Sequence, residues 1–302
     1  MSDIFAPRDS AKGPLWQRLI IAFPTRALLQ FSRSQPLAAA SAVVLVVLFL
    51  VALMPAQIAT HHYDAFNVLN AKMGPSPDHW FGTDAQGRDI FSRIVYGART
   101  SILISFGVVI LSSITATLLG IISGYYGGYI DIVLQRFLDI WQAFPALIFL
   151  IFVVSIFPPG ILTLVLALGA VFSASLARLT RSVVIDVRGR MFVEAARSCG
   201  ASDARIMFRH ILPNVVPFII IMGAVTIGFV ITAESSLSFL GLGVPPPYPS
   251  WGRMLQDAQL DMQQFPFIAF FPGCAIAITV YALNMLGDAL RDVLDPRLRG
   301  SR

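Results

Sequence analysis

The residues able to do chemistry in this 302-residue chain are few. A loop that cradles ATP phosphates runs through glycines into Gly-Lys-Ser/Thr. The only two lysines, Lys12 and Lys72, are followed by Gly13 and Met73. Cys199 and Cys274 lie far apart, one in a charged stretch and one in an apolar run, and offer neither a disulfide framework nor a zinc spacing. The histidines are His61, His62, His79 and His210. The adjacent His61-His62 pair has no nearby cysteine and no helical i,i+4 partner, so no metal centre is expected. No histidine sits in the core of an apolar span, where an intramembrane serine nucleophile would need one. Pumps and secondary transporters carry several ionisable groups near the bilayer midplane. Here only Glu234, and Asp139 with Arg136, come close. The latter pair are three apart on one helical face, which suits an ion pair or cap better than a proton relay. The expectation is a chain that is not an enzyme and binds no cofactor or metal of its own.

The composition explains this poverty. Hydrophobic residues make up 56 % and charged ones 13 %, about half the charged share of a soluble domain. The net charge of +5 is spread along an apolar chain, so membrane rules apply to it before nucleic-acid ones. No nucleic-acid partner is expected; the lipid bilayer is. A spanning helix needs about 20 apolar residues, which predicts six spans at 36–55, 101–123, 139–157, 161–179, 212–236 and 267–287. The last four are delimited by uncharged runs and by Pro158-Pro159-Gly160, a hairpin signal. Residues 55–59 loosely resemble a signal-peptidase site. The 35 mostly polar residues ahead of the first span favour an uncleaved anchor instead. With the N-terminus inside, 17 Lys/Arg fall on the inner side and five, Lys72, Arg88, Arg93, Arg99 and Arg253, on the outer. Both termini are therefore expected in the cytosol.

Three extramembrane segments carry the remaining information: 56–99, 181–209 and 241–266. In the first, Gly82-Thr83-Asp84 and Gly87-Arg88-Asp89 look like turn chemistry, with glycine for unusual φ and aspartate for local backbone bonds. A phosphate-binding glycine loop is the sharper alternative, and the acidic neighbours argue against it. The inner segment reads MFVEAARSCGASDARIMFRHILPN over 191–214. Phe192, Val193, Ala196 and Cys199 fall roughly on one side of a short helix. Gly200 suits the left-handed residue that stops it. Ser202 can cap a second helix, with Asp203 well placed at its start. This is a helix-turn-helix elbow able to transmit force, or an amphipathic loop resting on lipid headgroups; composition does not separate the two.

The spacing Glu194-Ala195-Ala196, Gly200 with three residues between, and Pro213 thirteen steps on resembles the EAA loop of permease subunits in type I ABC importers. HWFGTDAQGRDIFSRIVYGARTS (79–101), SFLGLGVPPPYPSWG (238–252) and NMLGDALRDVLDPRL (284–298) are similar to the dipeptide and oligopeptide branch, in the subunit with the long N-terminal segment. The likeness runs from about Leu37 to Leu298. In the tail, Arg291 and Asp295 are spaced i,i+4 for a last helical turn. The resemblance implies an all-α polytopic membrane protein with six transmembrane helices. Its parts would be a cytosolic segment 1–35, a first helix and periplasmic loop 36–98, a five-helix core 99–288 with the coupling loop 190–213, and a cytosolic tail 289–302.

By resemblance, Glu194, Ala195, Ala196, Gly200 and Pro213 would dock on an ATPase subunit. Gly82, Thr83, Asp84, Gly87, Arg88 and Asp89 would form a periplasmic structural motif. Glu234 would stand at the pathway or outer gate. The implied partners are a second homologous permease, two ATPase subunits carrying ATP and Mg, and a periplasmic or extracellular solute-binding protein. The implied site is the bacterial inner membrane and the cargo peptides. Two other readings stay open, a proton-coupled secondary transporter using Glu234 and a scaffold that only recruits a soluble partner.

Overall fold

A computed structural model describes residues 35–294 of the chain, with side chains to 290; all but Gln35 of the expected cytosolic segment 1–35, and the Arg291–Asp295 pair, lie outside the described residues. The described residues are helical, with a single isolated bridge between Thr83 and Asp89. The first helix, α1 (Pro36–Leu53), starts on a proline that is harmless in a first turn. After the loop come α2 (Ile90–Tyr126), α3 (Gly128–Ala143), α4 (Ala146–Ile156) and α5 (Ile161–Arg188). A short α6 (Met191–Ser198) precedes α7 (Leu212–Phe239), then α8 (Trp251–Ala258) and α9 (Phe267–Leu294).

Among the described residues, five helices are long and apolar enough to cross a membrane, and a sixth crossing exists only if α3 and α4 are taken together. The expected third span, 139–157, is broken within its length: α3 and α4 meet at 84°. The cause is Pro145. A residue before proline is pushed out of the helical region, and Phe144 (ψ 131°) and Pro145 (ψ 123°) are both extended. Other helices outrun the uncharged stretches that mark them in sequence. α2 begins 11 residues before the expected 101 because Asp89 caps it, accepting the Ser92 N–H at 2.8 Å. α5 continues to Arg188, where Arg181 can reach across to Asp131 of α3 at 2.5 Å. Uncharged length reports the bilayer; helix length also depends on charges that find partners beyond it.

Along α2 the side chains sort by helical period. Leu103, Phe106, Ile110, Ile114, Leu118 and Ile122 are exposed, while Ile104, Val108, Ser112 and Ala116 are buried against α5 and α7. In lipid, apolar side chains gain little by leaving the solvent, so close packing between small residues holds helices together. Gly120 and Gly124 of α2 serve that purpose: a Cβ on either would stand 2.8 Å from Thr180 or Val184 of α5. The α2–α5 pair forms the centre of the bundle, α7 and α9 pack beside it, and α1 lies at the edge against α9 and α2.

Candidate functional site

At one end of the bundle α6 and the chain after it form the elbow. Val193 is its anchor, 1 % exposed among Tyr125, Val184, Val187, Ile206, Ile211 and Val215. Ala196 is half-buried beside them, whereas Glu194, Ala195 and Cys199 face outward. The apolar side expected of α6 is thus narrower than four residues, because Cys199 already lies in the C-terminal turn and Phe192 is 39 % exposed. Gly200 takes φ 77°. Its N–H donates to Arg197 O (2.9 Å) and the Ala201 N–H donates to Ala196 O (3.1 Å), the paired bonds of a Schellman stop.

Ser202 starts the next helical turn as expected, but its side chain makes no capping bond; the Ser202 carbonyl accepts the Ile206 N–H instead. Asp203 is occupied elsewhere, accepting the Tyr125 hydroxyl of α2 at 2.6 Å. The helix then widens over Ile206–Ile211 into i→i+5 bonding, the Leu212 N–H reaching Met207 O, just before Pro213. Proline lacks an N–H and leaves one helical bond unmade, and such wide turns mark helices at functional sites. Met191, Phe192 and Phe208 remain exposed beside Glu194. The elbow is therefore held by the bundle on one side and presents a tip of apolar and charged residues on the other, Glu194 with the exposed Arg190 and Arg197.

At the opposite end the turn 82–89 is a buried ionic clasp. Gly82 and Gly87 have φ 80° and 74°. Asp84 Oδ1 accepts the N–H groups of Gln86 (2.8 Å) and Arg88 (3.0 Å), and its Oδ2 accepts Arg88 Nε at 2.7 Å. Because the backbone donors of this glycine turn point at Asp84, they are not available to a phosphate. Arg93, 2 % exposed, lies 3.6 Å from Asp84 and 3.5 Å from Asp257 of α8. Asp257 also pairs with Arg88 (3.3 Å) and Arg253 (3.0 Å). Trp251 seals the joint, fully buried, with Nε1 donating to Ile94 O at 3.1 Å. Asp257, Arg93 and Trp251 escape sequence reasoning because they are more than 150 residues apart in part and share no local pattern.

Glu234 of α7 is fully buried. Its Oε1 accepts the Ser238 hydroxyl at 2.7 Å, and the hydroxyls of Ser101, Ser235 and Ser250 stand around it. It joins α2, α7 and the turn into α8. Loss of this carboxylate is expected to act on structure: Glu234→Gln turns an acceptor into a donor facing serines, at a cost of about 1–3 kcal/mol. The thermal midpoint of the solubilised protein should fall. An unchanged midpoint would contradict this.

The break between α3 and α4 opens a cavity of about 380 Å³ lined by Trp141, Gln142, Phe144, Pro145, Phe149 and Ser175 among others. Gln142 Nε2 donates to Ser175 Oγ at 3.3 Å, and Arg178 donates to Gln142 Oε1. Asp139 pairs with Arg136 (3.3 Å), as the i,i+3 spacing predicts, and with Arg178 (3.6 Å). Sequence reasoning passed over Gln142, Ser175 and Arg178 because a lone Gln or Ser in an apolar run carries no pattern.

The family described as binding-protein-dependent transport system inner membrane component matches residues 116–300. The dipeptide transport system permease protein DppC of Alkalihalophilus pseudofirmus is 40 % identical over 296 residues, covering 98 % of this chain and 97 % of that protein. The oligopeptide transport system permease protein OppC of Bacillus subtilis is 38 % identical over 273 residues, 90 % of this chain and 89 % of its own length. The glutathione transport system permease protein GsiD of Pectobacterium atrosepticum is 43 % identical over 240 residues, 78 % of this chain and 80 % of its own. Among solved structures, a chain of the inward-facing MetNI methionine ABC transporter shares the fold, with a TM-score of 0.56 at 16 % identity over 68 % of this chain and 98 % of that one.

Proposed function

The chain belongs to the binding-protein-dependent transport system inner membrane components, as a peptide-type ABC importer permease, and from that premise we propose that it forms half of a pathway for peptides or peptide-like solutes. The observation that carries the reading is the elbow 190–213: Glu194 exposed on a short helix, Val193 pinned in the bundle and Gly200 locking the turn. A rigid projection on a helix bundle transmits motion between a bound partner and the helices. Of two separate ATPase subunits, which carry the ATP and Mg, one docks there, Glu194 and the turn at Gly200 entering the contact, and the other docks on the second permease. A second homologous permease completes the other half of the pathway, and a solute-binding protein delivers cargo to the end that bears the 82–89 clasp. The core 99–288 supplies the pathway, with Gln142, Ser175 and Arg178 at the break in α3–α4 among its polar lining. Relatives named for dipeptide, oligopeptide and glutathione transport support cargo with a peptide backbone.

The elbow end faces the cytosol in this reading, with both termini on that side, because 17 of the 22 Lys/Arg lie there. Single cysteines in a chain lacking Cys199 and Cys274 test it. Cysteine at Ser76 or Gln259 should react with an impermeant thiol reagent added outside intact cells, and cysteine at the exposed Ser182 should not. Ser250, in the same outer segment, is a poor reporter because it is fully buried as the cap of α8. Labelling at Ser182 but not at Ser76 would reverse the orientation. For cargo, deletion should abolish ATP-dependent uptake of di- and oligopeptides and re-expression should restore it. Unchanged uptake of all peptides would remove the substrate assignment.

A further inference from the structure

The clasp end holds a second cluster beside the ion pairs of Asp84 and Asp257. His61, His79 and Asp89 come from three separate points of the loop, yet their ligand atoms all lie within 4.8 Å of one another. His79 Nδ1 is 2.9 Å from Asp89 Oδ1, and His61 Nδ1 is 4.0 Å from Asp89 Oδ2. The two imidazole rings stand 4.8 Å apart, centroid to centroid, tilted by 31°. We propose that His61, His79 and Asp89 form a binding site for one divalent first-row transition-metal ion of the zinc type.

Three features favour an ion over a simple hydrogen-bonded group. Zinc bonds of about 2.0–2.2 Å to imidazole nitrogen and carboxylate oxygen place tetrahedral ligand atoms about 3.4 Å apart. The observed spacing needs ring movements of only about 1 Å to reach this. Two imidazoles and one carboxylate are a donor set that suits zinc, nickel or cobalt and not magnesium or calcium, which take oxygen ligands. The ligands are also held in advance, as metal ligands are by their outer partners. The Ser92 N–H (2.8 Å) and the Thr60 hydroxyl (3.3 Å) both donate to Asp89 Oδ2. The backbone N–H of His61 donates to Ser92 Oγ (3.0 Å) and that of His79 to Ser76 Oγ (3.1 Å), which fixes the chain that carries each ring.

Exposure is graded across the site, with side chains 1 % exposed at Asp89, 12 % at His79 and 39 % at His61. The ion would enter past His61 and keep a water-filled fourth position on that side. The start of α2 is an electropositive place for a cation. The Asp89 carboxylate supplies the compensating charge. Once bound, the ion would strap the loop around residues 60–62 and 79 to the first turn of α2.

The test uses the full chain, without a histidine tag, in lipid nanodiscs after treatment with a chelator. Zinc is titrated in competition with a chromophoric chelator, and cobalt(II) is added separately for its visible absorption. One zinc per chain is expected, with a cobalt spectrum of four- or five-coordinate intensity. His61→Gln, at the most exposed ligand, should weaken zinc binding at least tenfold while leaving the zinc-free thermal midpoint unchanged. His62→Gln, adjacent in sequence but turned onto Tyr63, should bind as the unaltered chain does. Zinc should raise the midpoint of the unaltered chain and of His62→Gln, and not that of His61→Gln. If the unaltered chain binds no more zinc than His61→Gln, or gives no cobalt absorption beyond that variant, the three residues are a hydrogen-bonded histidine pair and the proposal fails.

Discussion

Asp84→Ala is expected to destabilise the chain more than any other single change outside the membrane core. The carboxylate, 6 % exposed, accepts two backbone N–H groups and one guanidinium bond and lies within 3.6 Å of another. Its removal leaves Arg88 and Arg93 sharing Asp257, whose side chain is 26 % exposed and already paired with Arg253. Breaking a buried ionic group by deleting one member costs about 3–5 kcal/mol, because the remaining charge stays buried without its partner. The effect should appear as a lowered thermal midpoint of the solubilised protein and as faster proteolysis of the 56–89 loop. Asp84→Asn separates the two contributions. It keeps an oxygen for the Gln86 and Arg88 N–H groups, so the turn survives, but it surrenders the charge, and its midpoint should fall between the other two. On the proposed reading, ATPase binding at the elbow, the far end of α2, should be unaffected in both. A midpoint for Asp84→Ala equal to that of the unaltered chain would show that the clasp carries no stability.

Which features were legible in the sequence follows from how far apart their parts lie. The stop at Gly200, the pair Arg136–Asp139 and the turn residues Gly82 and Gly87 are local: each depends on residues within four positions, and each is found with the geometry expected. The spans are legible because lipid imposes apolar length, but the length is blind to backbone breaks inside it. Pro145 stood in plain view within 139–157, yet a count of uncharged residues gives it no weight. Long-range polar partners leave no trace at all. Nothing near His61 in sequence indicates His79 and Asp89, and nothing near Arg93 indicates Asp257, 164 residues away. Ser202 shows the converse: the right residue at the right position, with its capping bond unmade. Glu234 stood out as a charge at the end of an apolar run, and only the packing reveals that serines from α2, α7 and the 250 turn surround it.

The elbow offers a test in which backbone strain and surface charge are separable. Gly200 sits at φ 77°, and a Cβ added there would meet nothing within 4 Å. Any effect of substitution therefore comes from the left-handed backbone itself, which costs ordinary L-residues about 1–2 kcal/mol and β-branched ones more. Gly200→Val should release the Schellman stop and let α6 swing, while Gly200→Asn, tolerant of this conformation, should keep it. Val193 and the α2–α5 core are untouched by either change, so both chains should insert and purify normally. On the proposed reading, Gly200→Val loses at least tenfold in ATP-driven peptide uptake, Gly200→Ala loses less, and Gly200→Asn stays near the unaltered level. Glu194→Lys acts differently. Its side chain faces outward on α6, so the midpoint should not move, but reversed charge at the docking tip should abolish capture of the ATPase subunits. Hydrolysis without uptake in Gly200→Val, and no association in Glu194→Lys, are the expected pair of outcomes. Normal uptake by both variants would mean that force reaches the helices by another route.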